Sequence, residues 1–116
     1  MHEASIALCI LEIAEASCRE AGCGSISSIR VRIGRAAGVM PEALLFAFDA
    51  FKEDTLAKDA TLDIERVPVA GVCGSCSTPF TVPEDVRFVT ACPCCGSASF
   101  RIRQGREMEI LEVEAD

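Results

Sequence analysis

Residues 72–97 read VCGSCSTPFTVPEDVRFVTACPCCGS, and four of the five cysteines in this stretch dictate how the rest of the chain is organised. Cys73, Cys76, Cys92 and Cys95 follow the spacing C-x2-C-x15-C-x2-C. Each close pair turns two thiolates toward one ion, the intervening hairpin brings the pairs together, and four sulfurs in a tetrahedron suit Zn(II). Cys94 competes with Cys95 for the last ligand position. The segment CPCCG takes the knuckle form C-P-x-C-G when Cys92 and Cys95 bind, with Gly96 letting backbone amides approach sulfur, so Cys94 is read as a spare thiol. Thiolates hold iron in the same geometry, which makes a mononuclear iron site the alternative to zinc, ahead of a metal-free disulfide knot.

Zn(II) bound by four thiolates has no open position for water, so its expected role is structural. It stabilises residues 71–103, a 33-residue excursion too small to fold by burial alone. Val82, Val86, Phe88, Val89 and Phe100 are the apolar complement of that excursion.

Outside the cysteine cluster the hydrophobic period alternates between helix and strand. From Glu3 to Ala21, residues Ile6, Ala7, Ile10, Ile13, Ala14 and Ser17 recur at helical spacing opposite Ser5, Glu12, Glu15 and Arg19, and AGCGS then offers Gly22 or Gly24 as a C-terminal cap. SSIRVRIG alternates with period two, Ile29, Val31 and Ile33 on one side and Arg30 and Arg32 on the other, and ends at Gly34. MPEALLFAFDAFKEDT places Pro41 in a first helical turn, Glu42 where the helix dipole favours an acid, and Leu44, Phe48 and Phe51 on an inner face. ATLDIERVP alternates again with Leu62 and Ile64 inward until Pro68, and QGREMEILEVE gives a last strand with Met108 and Ile110 inward. Ile110 and Leu111 are adjacent, the mark of a bulge there. The expected class is α+β: a small three-stranded sheet with two helices on one face, plus an inserted zinc-ribbon-like subdomain. Residues 1–70 together with 104–116 form the main domain, and residues 71–103 the zinc-binding subdomain.

Composition narrows the function. Eighteen acidic against eleven basic residues give a formal charge of −7, and the arginines are scattered, which argues against a phosphate backbone as partner. No apolar run reaches the roughly 20 residues of a membrane span, and the start lacks the basic-then-apolar order of a secretion signal, so a cytoplasmic, reducing setting is expected. In that setting closely paired cysteines hold metal rather than disulfides. Cys9 and Cys18 lie nine positions apart on the first helix, on opposite sides, and default to packing; Cys23 sits beside the cap glycines with no histidine or basic cluster near it in sequence. GRAAG lacks the lysine and hydroxyl of a phosphate loop, and the single histidine, His2, leaves nothing for a serine or cysteine triad. An enzyme is not expected.

His2, directly behind Met1, is the remaining chemistry. A histidine so close to a free terminus offers its imidazole, its own amide nitrogen and the Met1 amine, donors that close fused five- and six-membered rings around one ion. Amide nitrogen binds only when deprotonated, a cost that Ni(II) or Cu(II) in a planar field recovers and zinc does not. The bulky His2 side chain also discourages removal of Met1. The amide of Glu3 is a candidate fourth donor.

Met1-His2-Glu3, the helix behind it, SIRVRIG, MPEALLFAFD, LDIERVP and the late knuckles, in that order, resemble the HypA/HybF family of hydrogenase nickel-insertion proteins from the first residue to about Val113. The resemblance implies a nickel metallochaperone, with His2 as nickel ligand, Glu3 important for delivery, and Cys73, Cys76, Cys92 and Cys95 as zinc ligands. It also implies structural Zn(II) and transient Ni(II), the GTPase HypB as partner, the large subunit of a [NiFe] hydrogenase as recipient, and a monomer or weak homodimer; a related urease pathway also uses nickel, which adds urease accessory proteins to the partners the resemblance admits. CPCC departs from the family's CPxC and leaves open a switch between Cys94 and Cys95. Two other readings compete: a zinc-ribbon interaction module without transferable metal, and a rubredoxin-like iron carrier.

Overall fold

A computed structural model describes residues 2–83 and 91–116. Among them the chain forms two helices and six strands: α1 (Glu3–Glu20), β1 (Ile26–Gly34), α2 (Pro41–Phe51), β2 (Thr61–Val67), β3 (Ala70–Cys73), β4 (Pro79–Thr81), β5 (Phe100–Gln104) and β6 (Met108–Ala115). The strands form two three-stranded sheets, in the orders β2-β1-β6 and β4-β3-β5. The class is α+β, and the second sheet adds three short strands that the period-two pattern does not reveal. The chain divides into two compact units, one of Met1–Arg32, Gly38–Glu65 and Glu109–Asp116, the other of Ile33–Ala37 and Arg66–Met108.

In the first unit β1 is the central strand, and Ile29 and Val31, two positions apart, give it a covered face. Its outward Arg32 reaches both neighbours, bonding Glu65 of β2 at 3.2 Å and Glu109 of β6 at 3.1 Å. These pairs are solvated, so they fix strand order more than they add stability. On α1 the buried stripe is Ile6, Ala7, Ile10, Leu11, Ala14 and Cys18. Ile13 and Ser17, expected inward, are exposed, Ile13 by 57%. At 100° per residue the stripe centres on Ala7, Leu11, Ala14 and Cys18, which puts Ile13 on its flank. The two helices pack on each other. α2 starts at Pro41 and buries Leu44, Ala47 and Phe48, while Phe51 is 40% exposed: the helix ends there and its inner face ends with it. On β6 the half-buried side runs through Leu111, Val113 and Ala115, with Ile110 half-buried on the other parity, so Met108 is 46% exposed rather than inward.

The second unit has a small core of Val69, Phe80 and Val82, against which Phe100 and Ile102 pack, the two rings edge-to-face with centroids 6.0 Å apart. Val82 and Phe100 thus serve the expected apolar complement; Val86, Phe88 and Val89 lie outside the described residues. β3 pairs antiparallel with β4 and β5, and its register to β5 shifts between Ala70 and Gly71. Gly34 closes β1 for a steric reason: a Cβ there would overlap the Gly105 carbonyl, while the Gly34 N–H donates to the Glu107 carbonyl at 2.8 Å.

Candidate metal centres

β3 ends at Cys73, which delivers its sulfur to the first knuckle; the segment before β5 carries the second. The two knuckles repeat one backbone geometry. Amides of Ser75 and Cys76 point at Cys73 Sγ (3.3 and 3.4 Å), and those of Cys94 and Cys95 at Cys92 Sγ (3.3 and 3.5 Å). The Ser77 N–H donates to the Cys73 carbonyl at 3.1 Å and the Gly96 N–H to the Cys92 carbonyl at 2.9 Å. Both of these residues are left-handed, at φ 59° and 77°. The Ser75 and Ser97 hydroxyls meet at 2.8 Å.

The four sulfurs of Cys73, Cys76, Cys92 and Cys95 lie within 4.8 Å of one another. Two inter-knuckle edges are 3.5 Å (Cys73 to Cys95) and 3.8 Å (Cys76 to Cys92). A tetrahedron with Zn–S bonds of about 2.3 Å has S···S edges of about 3.8 Å, so the donor set fits Zn(II) in number, type and spacing. Cys73 and Cys92 are buried, Cys76 and Cys95 exposed. The Cys94 thiol is exposed and outside the group; its contribution to the knuckle is its amide.

The thiols of the cage hold their protons unevenly. The Thr78 hydroxyl and amide bring Cys76 down to about 6. The Cys76 amide, joined by that of Ser75, lowers Cys73. For Cys95 the Ser97 amide favours the thiolate, but the hydrogen bond to Cys73, desolvation and the Cys76 and Cys92 thiols outweigh it and push the group up to about 12. Cys76 and Cys95 therefore hold their protons very differently, and a divalent ion bound by all four sulfurs displaces those that remain.

At the front of the chain, His2 is the N-cap of α1, with extended backbone (φ −82°, ψ 149°) and a carbonyl that accepts from Ile6 N–H at 3.1 Å. Its side chain makes no capping hydrogen bond and is exposed. Glu3 opens the helix and its Oε2 accepts the backbone N–H of Met40, the N-cap of α2, at 3.2 Å. That hydrogen bond, before any other influence, holds the Glu3 carboxyl below its usual 4.5. The partnership spans 37 positions and carries no periodic signal, so spacing alone does not reveal it. Met1 lies outside the described residues. No helix among the described residues is long and apolar enough to cross a membrane.

A family model described as hydrogenase/urease nickel incorporation, metallochaperone, hypA, matches residues 1–115. A hydrogenase maturation factor HypA of Chloroflexus aggregans is 44% identical over 114 residues, covering 98% of this chain and 98% of that protein. Its namesake in Roseiflexus is 41% identical over 114 residues, covering 98% and 91%. The solution structure of the Ni metallochaperone HypA from Helicobacter pylori matches with a TM-score of 0.67 at 31% identity, over 99% of this chain and 97% of that one.

Proposed function

The chain belongs to the HypA family of nickel-incorporation metallochaperones, and from that premise we propose that it binds Ni(II) at Met1, His2 and Glu3 and passes it to the large subunit of a [NiFe] hydrogenase. The family fixes the coarser statement, nickel incorporation; the residues and the recipient are our reading. Cys73, Cys76, Cys92 and Cys95 hold a structural Zn(II) in the same reading. Delivery takes place in the cytoplasm beside the GTPase HypB, and the chain catalyses no reaction of its own.

One observation carries this assignment: His2 caps α1 through its backbone alone, leaving the imidazole uncommitted at the first turn. The first amides of a helix have no acceptor one turn upstream, so the His2 and Glu3 nitrogens can be deprotonated onto a metal without breaking the helical ladder. Planar nitrogen ligation of that kind selects Ni(II) or Cu(II) over Zn(II). A terminal chelate also detaches without opening a core, which a carrier requires, whereas the thiolate cage is closed.

The test is nickel titration of the zinc-loaded protein followed by absorption spectroscopy. Wild type should develop the yellow band of planar Ni(II); His2→Ala should lose it and support no hydrogenase maturation, with zinc content and far-UV circular dichroism unchanged. Wild-type affinity in the variant would refute the site. Hydrogenase and urease activities in a deletion strain identify the client.

A further inference from the structure

Cys18 and Cys23 bracket the C-terminal end of α1, away from either metal centre in sequence. The Cys23 N–H donates to the Cys18 carbonyl at 2.9 Å, the Gly22 N–H donates to the Arg19 carbonyl at 3.0 Å, and Gly22 is left-handed at φ 76°. These are the paired bonds of a Schellman closure, whose outermost residues commonly bring their side chains into contact. Here both of those residues are cysteine. Covalent geometry bounds the gap: the carbonyl arm, the hydrogen bond and the N–Cα bond laid end to end reach about 6.8 Å, so the two Cα atoms fall inside disulfide range. Cys23 Sγ lies 4.0 Å from the Ala21 carbonyl of the turn, and Cys18 Sγ 3.9 Å from the carbonyl of Ser25, two residues past it. Both are free thiols, but their access differs, Cys18 being buried and Cys23 half-buried.

We propose that Cys18 and Cys23 are a redox-active dithiol that small-molecule disulfides convert to an intramolecular disulfide, independently of the zinc cage. The Cys23 thiolate attacks one sulfur of the small disulfide, breaks its S–S bond and expels one thiolate, leaving a mixed disulfide on Cys23. Cys18 then gives up its proton, attacks the Cys23 sulfur and expels the second thiolate. The protein pair loses two electrons and two protons, and the small disulfide leaves as two thiols. The order follows from access and from proton affinity: desolvation, then the adjacent Cys23 thiol, hold Cys18 protonated above its usual range, which suits it to the second step.

The test uses the full-length, zinc-loaded protein incubated with oxidised glutathione, alkylated, digested and mapped by mass spectrometry, with zinc measured in parallel. The expected product is one cross-linked peptide joining Cys18 to Cys23, lighter by two hydrogens, unalkylated, reversed by dithiothreitol and formed with zinc retained. Cys18→Ala should instead trap glutathione on Cys23, and Cys9, exposed on the same helix, should carry it without a partner. Persistent alkylation of both thiols, glutathione remaining on Cys23 in the wild type, or a bridge from either residue to Cys9 or to a cage cysteine would overturn the proposal. Because the first readout needs no substitution, a variant that fails to fold leaves it decisive.

Discussion

Glu3 shows how much one side chain can join. Its carboxylate accepts a backbone N–H from the start of the other helix, so the residue beside His2, the proposed nickel ligand, also ties down the point where α2 begins. Since this contact lowers the carboxyl's proton affinity, it is present at neutral pH and lost as pH falls through a midpoint below 4.5. In a metal-free NMR titration the Met40 amide should follow the Glu3 carboxylate with that acid midpoint; a Met40 amide indifferent to pH would exclude the bond. Gly96 makes a separate case. A methyl group placed on it would touch nothing, so Gly96→Ala isolates the strain of its positive φ and should cost about 1–2 kcal/mol in unfolding of the metal-loaded protein. Ser77 already carries that strain at the matching position of the first knuckle, so Ser77→Gly should act in the opposite direction.

Helices and long strands were legible because burial repeats along them. Ile6, Ala7, Ile10 and Ala14 announce α1 and Ile29, Val31 and Ile33 announce β1, and all seven are buried. The period fails where it ends or is diluted. Phe51 sits at a helix terminus, Met108 at the start of a strand whose parity is set further on, and Leu11 was masked by the competing stripe through Ile13. The three short strands of the second sheet span only four, three and five residues, too few to establish a period. The candidate cage was readable because thiol spacing is local, whereas the Glu3–Met40 and Cys18–Cys23 contacts depend on turns and packing that spacing does not encode. Phe48, on the inner face that periodicity assigned to α2, is fully buried, so Phe48→Ala should lower stability by about 3–5 kcal/mol in denaturant unfolding. A loss under 1 kcal/mol would mean that α2 does not contribute to this core.

At the scale of the molecule, the two units draw on different sources of stability. The first holds most of the fully buried side chains, among them Phe48, Ile29, Leu44 and Val31; the second relies on Val69, Phe80 and Val82 with two half-buried neighbours. Stripping the metal with a strong chelator should therefore abolish amide protection in β3, β4 and β5 while most helical circular dichroism survives; protection that persists would show that the small core suffices. The burial of the four sulfurs also gives the cage one accessible side. Cys73 and Cys92, each accepting two backbone amides, lie buried. Cys76 and Cys95 face solvent, so a chelator that strips the ion gains its first hold on the metal from their side.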